Sequence, residues 1–377
     1  MPAAKHPAKK PSKPAPTPAF DPNAAAAGDG GIFGLPFTPE QARIVLLPVP
    51  FDATTSYGGG AAAGPRALFE ASMQVDLLDH QFGEVYKAGI AMLDEPGKIR
   101  KLSKKARKLA APIIAAGGAT KKTAEACAKV NAASAKMNAQ VEAQTRKVLA
   151  AGKVPGILGG DHSTPLGAIR ACADFVAKAA KDAGGAGGGS KPSGLGILHI
   201  DAHMDLRSAF EGFTYSHASI MFNVLREVGG VRGVSRIVQV GIRDYCPAER
   251  DVARKSGARV SVYFDQDNAE AMMRGTRWPD LCAKMVAELP EQVYVSFDID
   301  GLDPSLCPHT GTPVPGGLTF AQASTLLKTL ADSGRRVVGF DLVEVCPSPM
   351  KSAPEWDANV GARILYKLCG VAAATNR

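Results

Sequence analysis

With 377 residues, 45% of them hydrophobic, and a formal charge of +8, the chain can bury a substantial core in one large or two ordinary domains. No apolar run reaches the roughly 18 residues a bilayer requires, which excludes a spanning segment. The basic stretch 98–108 (Lys98, Arg100, Lys101, Lys104, Lys105, Arg107, Lys108) has no interleaved aromatics, so it reads as a solvated helix face and not as a nucleic-acid surface.

Residues 1–32 are rich in Pro, Ala and Lys and lack a long aliphatic run. They are expected to form a disordered basic tail, with no secretory signal, ahead of one domain over 33–377. Strands are predicted at 43–48, 156–158, 195–200, 236–240, 258–264, 292–297 and 335–340. These runs are Val, Ile and Leu rich and mostly lack polar alternation, as strands buried on both faces do. Helical patterns fall at 65–80, 164–183, 220–228, 319–333 and 359–368. An Ala/Lys-rich helical insertion at about 101–152 breaks near Gly117-Gly118, and its second half reads as one long helix. The Gly-rich stretch 183–194 reads as a mobile surface loop. Alternating strands and helices predict an α/β chain, a sandwich of helices on both faces of a mainly parallel sheet. Seven scattered cysteines with no C-x-x-C pair suggest a reducing, cytoplasmic setting.

The chemistry concentrates where strand-like runs end. Asp201, His203 and Asp205 alternate in Asp-Ala-His-Met-Asp, and Asp298 and Asp300 alternate in Asp-Ile-Asp. On an extended segment such pairs point one way. His162, in Gly-Gly-Asp-His-Ser, follows the 156–158 run, and Glu344 follows 335–340 a few residues later. Ligands of open parallel sheets bind beyond the carboxyl ends of the strands, so all four clusters are expected at one edge. Carboxylates crowded in this way repel unless cations sit between them. Four ionised aspartates and two neutral histidines would carry −4, which two divalent ions cancel. Imidazole mixed with carboxylate suits Mn²⁺, Ni²⁺, Fe²⁺ or Zn²⁺ better than Ca²⁺ or Mg²⁺, and a metal pair lowers the pKa of a shared water.

The segments 159–163 (Gly-Gly-Asp-His-Ser), 201–205 (Asp-Ala-His-Met-Asp) and 296–304 (Ser-Phe-Asp-Ile-Asp-Gly-Leu-Asp-Pro) resemble the three metal motifs of the ureohydrolases, the arginase and agmatinase family. The resemblance runs from about residue 43 to 368. It implies a three-layer α/β/α sandwich of about eight strands, a homotrimer or homohexamer, and two divalent ions, Mn²⁺ or alternatively Ni²⁺. By motif, His162, Asp201, Asp205 and Asp298 would hold one ion, and Asp201, His203, Asp298 and Asp300 the other, with Asp201 and Asp298 bridging. His217, in Tyr-Ser-His-Ala-Ser, matches the substrate-side histidine, a proton shuttle or substrate contact. Glu344, in Asp-Leu-Val-Glu-Val, matches the carboxylate that pairs with a guanidinium, a role suited to a group accepting paired N–H bonds. The implied reaction is hydrolysis of a small cationic guanidino substrate by an activated water through a tetrahedral intermediate. The amine would leave after protonation through Asp300 or His217, with release of urea.

Other polar residues read more plainly. His199 is taken as structural, Asp161 as ordering its loop, Asp303 as capping a turn, Arg207 as half of an ion pair, and Gly58-Gly59-Gly60 as a loop near the site mouth. Leu206-Arg207-Ser208-Ala209 replaces the Asn-rich loop of the arginine-specific members. The Ser-His segment is closer to agmatinases, although Ala218-Ser219, His309 and the 54–60 loop depart from their pattern. The alternatives are a guanidine hydrolase acting on free or small substituted guanidine, a fold-sharing deacetylase, and a non-catalytic partner subunit. The deacetylase would lack the second His-Asp pair and Glu344. A partner subunit would be expected to have lost ligands, and all six are present.

Overall fold

The computed structural model describes residues 20–26, 30–184, 194–230, 233–349 and 355–376. Most of the tail expected over 1–32 and most of the loop expected over 183–194 lie outside that set. The described chain forms one eight-stranded, all-parallel sheet with helices on both faces. Its strands are β1 (Ile44–Val49), β2 (Ile90–Met92), β3 (Val154–Gly159), β4 (Leu195–Ile200), β5 (Val234–Ile242), β6 (Val260–Phe264), β7 (Gln292–Asp298) and β8 (Arg336–Val343), in the order β2-β1-β3-β8-β7-β4-β5-β6. The helices are α1 (Gly64–Ser72), α2 (Gly97–Ala115), α3 (Ala124–Ala150), α4 (Leu166–Gly184), α5 (Ile220–Glu227), α6 (Pro247–Lys255), α7 (Asp265–Met273), α8 (Trp278–Ala287), α9 (Phe320–Asp332) and α10 (Trp356–Thr375). Among the described residues no helix is long and apolar enough to cross a membrane.

Alternation along the strands feeds two separate cores. Leu46, Leu158, Leu198, Val295 and Phe340 pack under α1, α8, α9 and α10. Val45, Ile157, Ile197, Ile237 and Tyr294 pack under α3, α4 and α5. Burial on both faces is why the strands read as continuous apolar runs. α2 and α3 occupy the helical stretch read over 101–152, and they are separated by a turn containing Gly117 and Gly118. Ala110 and Ile113 of α2 join Cys127 and Val130 of α3 and Phe213 in a third small cluster.

Several sequence expectations need adjustment. β2 was not foreseen, since three residues carry too little pattern. α6, α7 and α8 form in stretches where the sequence predicts no element. The helix expected over 65–80 stops at Ser72, whose hydroxyl turns back to the Phe69 carbonyl and accepts the Phe33 N–H. The last helix is twice the expected length. Ile32, placed at the end of the tail, is fully buried with Phe33 and Leu35 in the core.

Candidate metal centre

β3, β8, β7 and β4 are consecutive neighbours in the sheet, so the four segments bearing His162, Glu344, Asp298/Asp300 and Asp201–Asp205 end side by side. The expectation of an extended run through 201–205 does not hold. β4 stops at Ile200, and Asp201, His203 and Asp205 lie on the loop beyond it. They converge because the loop folds back: Asp201 Oδ1 accepts the His203 N–H at 2.6 Å, and Asp205 adopts a left-handed φ of 55°, a conformation costly for a non-glycine and concentrated at functional sites. Asp298 closes β7, and its Oδ1 caps the following turn by accepting the Asp300 N–H at 2.9 Å. Two glycines permit the close approaches: a Cβ on Gly160 would lie 2.0 Å from the Phe51 carbonyl oxygen, and one on Gly301 would lie 2.8 Å from the Asp201 nitrogen.

The two oxygens of Asp201 face opposite ways. Oδ2 lies 2.9 Å from His162 Nδ1, which also has Asp205 Oδ2 and Asp298 Oδ2 at 3.1 Å. Oδ1 lies 3.4 Å from His203 Nδ1, which has Asp300 Oδ2 at 3.2 Å. His162 Nδ1 is fully buried and makes no aligned hydrogen bond to any of its three oxygens. Lone pairs converging on a common point without hydrogen bonds between them fit a cation-holding site. Donor atoms of His162, His199, Asp201 and Asp205 lie within 4.8 Å of one another, as do those of Asp201, His203 and Asp300. Asp298 falls outside both of these tight groups, yet its Oδ2 faces His162.

A polar row across four strands lies beneath this cluster, and sequence reading passed over it. Gln239, His199, Ser296 and Asp341 are paired neighbours on β5, β4, β7 and β8. Gln239 Nε2 is 2.9 Å from His199 Nδ1, and His199 Nε2 is 2.8 Å from Asp201 Oδ2. Ser296 Oγ is 2.9 Å from His162 Nε2 and donates to Asp341 Oδ1 at 3.1 Å. Partners of this kind fix the orientation of ligating groups and the tautomer of ligating histidines. His199 is therefore more than packing, because it braces the carboxylate shared by both halves of the cluster. The available signal was phase: His199 and Ser296 each precede a key aspartate by two residues.

Glu344 projects from a left-handed residue (φ 60°), its N–H donating to the Gly160 carbonyl at 2.8 Å. Its Oε1 accepts the His162 N–H at 2.9 Å, while the buried Oε2 has no partner. His217 is buried, with Nε2 at 3.4 Å from Ser56 Oγ, Nδ1 unpartnered, and the edge of Phe210 at 6.0 Å between ring centres. The plainer residues fall where expected. Asp161 receives the Ser163 N–H and hydroxyl, Asp303 receives the Ser305 N–H, and Arg207 lies 3.4 Å from Glu249.

The electrostatics are those of crowded buried acids around two imidazoles. Burial together with Asp201 pushes the Asp205 carboxyl up to about 7, and burial with Asp300 and Asp201 raises Asp298 well above its ordinary range. Burial opposes charge on His162 and His203, but the surrounding aspartates win and hold both well above the usual imidazole value. Burial also raises Asp201, yet its three histidine neighbours prevail and keep it well below the carboxylate range. Without cations, the site therefore holds protons near neutral pH. Ligand atoms must shed them to bind a metal. Divalent-ion affinity is expected to fall as pH drops through 7, about tenfold per unit for each proton displaced. Titration calorimetry in buffers of differing ionisation enthalpy should register proton release; affinity independent of pH between 6 and 8 would contradict the arrangement.

A carboxylate- and imidazole-lined cluster beyond the carboxyl edge of a parallel sheet, where α/β enzymes carry their sites, is a group of side chains that could hold metal. The chain belongs to the arginase family, whose sequence model matches residues 42–370. It is accordingly a hydrolase of C–N bonds in linear amidines. It is 31% identical over 319 residues to an N(1)-aminopropylagmatine ureohydrolase of Thermus thermophilus, across 84% of this chain and 87% of that protein. An agmatinase of Neisseria meningitidis is 28% identical over 332 residues, across 86% and 88%. The solved proclavaminate amidinohydrolase of Streptomyces clavuligerus aligns at a TM-score of 0.66 and 25% identity, covering 94% of this chain and all of that one.

Proposed function

We propose that this chain hydrolyses a guanidino compound to urea and an amine, in the manner the names of its agmatinase and ureohydrolase relatives suggest. The observation that carries this reading is the two-way placement of Asp201 between the His162 and His203 groups, with a partnerless oxygen on Glu344, the residue that anchors the His162 N–H. His162, Asp201, Asp205 and Asp298 would hold one divalent ion, and Asp201, His203, Asp298 and Asp300 a second, Mn²⁺ or Ni²⁺. When bound, the ions supply an acidified water and the positive charge that offsets negative charge developing on the substrate.

The protein groups do the remainder. Glu344 Oε2 accepts N–H bonds from the guanidinium and orients its carbon toward the aspartate cluster. Burial with Asp298 and Asp161 raises the Glu344 carboxyl well above its usual range, so a cationic substrate is the counter-charge it lacks. Burial, with His203 and His162 nearby, pushes His217 down to about 3. It is therefore neutral at working pH and serves as a hydrogen-bonding contact on the substrate. Asp300, whose Oδ2 accepts the Thr312 hydroxyl at 3.2 Å, would carry a proton to the departing nitrogen.

The test is urea release from agmatine, arginine, 4-guanidinobutyrate and free guanidine, with Mn²⁺ and Ni²⁺ compared. Turnover of at least one compound, dependent on two ions per chain, is expected. Metal-loaded protein that releases no urea from any of them would favour a partner-subunit role.

A further inference from the structure

We infer that Arg107 reads a carboxylate at the end of the substrate remote from its guanidino group, making the substrate an ω-guanidino acid and not a guanidino amine. This rests on the guanidino-hydrolase reading above. α2 packs behind the 52–60 loop: Ser103, one turn before Arg107, bonds the Asp52 carboxylate at 3.1 Å, and Arg107 Nη1 donates to the Thr55 carbonyl. That loop spans both sides of the site. Ser56 touches His217. The Gly58 N–H donates to the Gly311 carbonyl at 2.9 Å, and a Cβ on Gly311 would lie 3.4 Å from Glu344 Oε2. Arg107 Nη2 lies 3.7 Å from where a Gly59 Cβ would stand. The guanidinium therefore sits beside the loop that joins the two substrate-side groups.

Other cations near the site are already spent. Arg207 is paired with Glu249 and stacked on Phe210, 4.8 Å from the ring centre. Arg243 donates to the carbonyls of Gly241, Asp300, Leu302 and Val314. Arg107 differs: among the described residues no carboxylate lies within 4.0 Å of it, and the Thr55 carbonyl takes one of its five N–H groups. Glu211, beside Phe210, is an acid whose field reaches Arg107, but it forms no ion pair with it, and burial pushes its carboxyl upward. A half-buried guanidinium with no carboxylate in contact repels an ammonium and offers a carboxylate a bidentate seat.

The experiment compares kcat/KM for urea release from three probes of similar length: 4-guanidinobutyrate (anionic end), N-butylguanidine (neutral end) and agmatine (cationic end). Native protein should prefer 4-guanidinobutyrate over N-butylguanidine by about tenfold or more, mostly through KM. Arg107→Gln should collapse that ratio, Arg107→Lys should keep part of it, and Arg107→Glu should turn preference toward agmatine. Preference for agmatine in the native protein, or an equal loss on all three probes in Arg107→Gln, would overturn the carboxylate role while leaving the guanidino-hydrolase reading intact. No urea from any probe by metal-loaded protein would remove both.

Discussion

Asp201→Ala is expected to remove turnover, with kcat/KM falling by about 10⁴ or more, and to abolish the bound pair of ions. Asp201 is the carboxylate whose two oxygens serve both histidine groups, with His162 Nδ1 at 2.9 Å and His203 Nδ1 at 3.4 Å. His199 and the His203 N–H hold it in place. Loss of one shared ligand weakens both sites at once, unlike loss of Asp205, which faces only the His162 side. The metal-free fold should survive. The apolar cores are untouched, but Asp201 is the acid that its three histidine neighbours hold ionised, so without metal the variant should melt lower than the native protein. The measurements are metal content by elemental analysis and melting temperature with and without added Mn²⁺ or Ni²⁺. A ligand that binds only the native state stabilises by about 2.7 kcal/mol at a hundred times its Kd. The native protein should therefore gain melting temperature on metal addition, and the variant should gain little or none. Two tightly held ions in Asp201→Ala would disprove the bridging assignment.

Much of this site was legible because its chemistry is local in sequence even where the fold is not. The alternating aspartates mark the ends of β4 and β7 directly, and long apolar runs betray a sheet covered on both faces. Sequence could not show that the β4 loop reaches its geometry through a left-handed Asp205, since the residues converge by folding back and not by strand alternation. Sequence alone takes His199 as structural and does not show what it holds. Only the strand register shows it between Gln239 and Ser296 in one polar row. Asp341 and Ser296 were missed because nothing local distinguishes a hydroxyl or acid that braces a ligand from one that caps a turn. β2 and α6 to α8 carry little periodic signal for a simpler reason: β2 has only three residues, the helices are short and of mixed polarity, and neighbours decide their structure. The role of α2 was equally hidden. As a basic stripe it read as solvated, yet Ser103 and Arg107 turn inward to the loop beside the site.

Glu344→Gln should separate substrate recognition from metal holding. Glutamine keeps the side-chain length and an oxygen to accept the His162 N–H now bonded at 2.9 Å to Oε1, so the backbone of the metal loop keeps its anchor. The change falls on the second position, where a partnerless oxygen becomes an NH₂ group facing the N–H groups of a guanidinium. A charge-assisted acceptor is then replaced by a donor opposed to donors, an effect of about 2–4 kcal/mol and hence about 30- to 1000-fold in kcat/KM. Metal content should stay at two ions per chain. Stability supplies an independent sign. Burial first, then Asp298 and Asp161, raise the folded-state pKa of Glu344 well above its unfolded value. A raised acid stabilises nothing by ionising: as pH climbs from the unfolded value of about 4.3 toward the folded one, the unfolded chain gives up its proton first and the native state loses ground. At neutral pH the neutral glutamine variant should therefore melt higher than the native protein without metal, with the gap closing as pH falls toward 4. Activity within threefold of native would show that the guanidinium is held elsewhere. A lower melting temperature at pH 7, or loss of metal, would show that Glu344 serves mainly to hold the metal loop together.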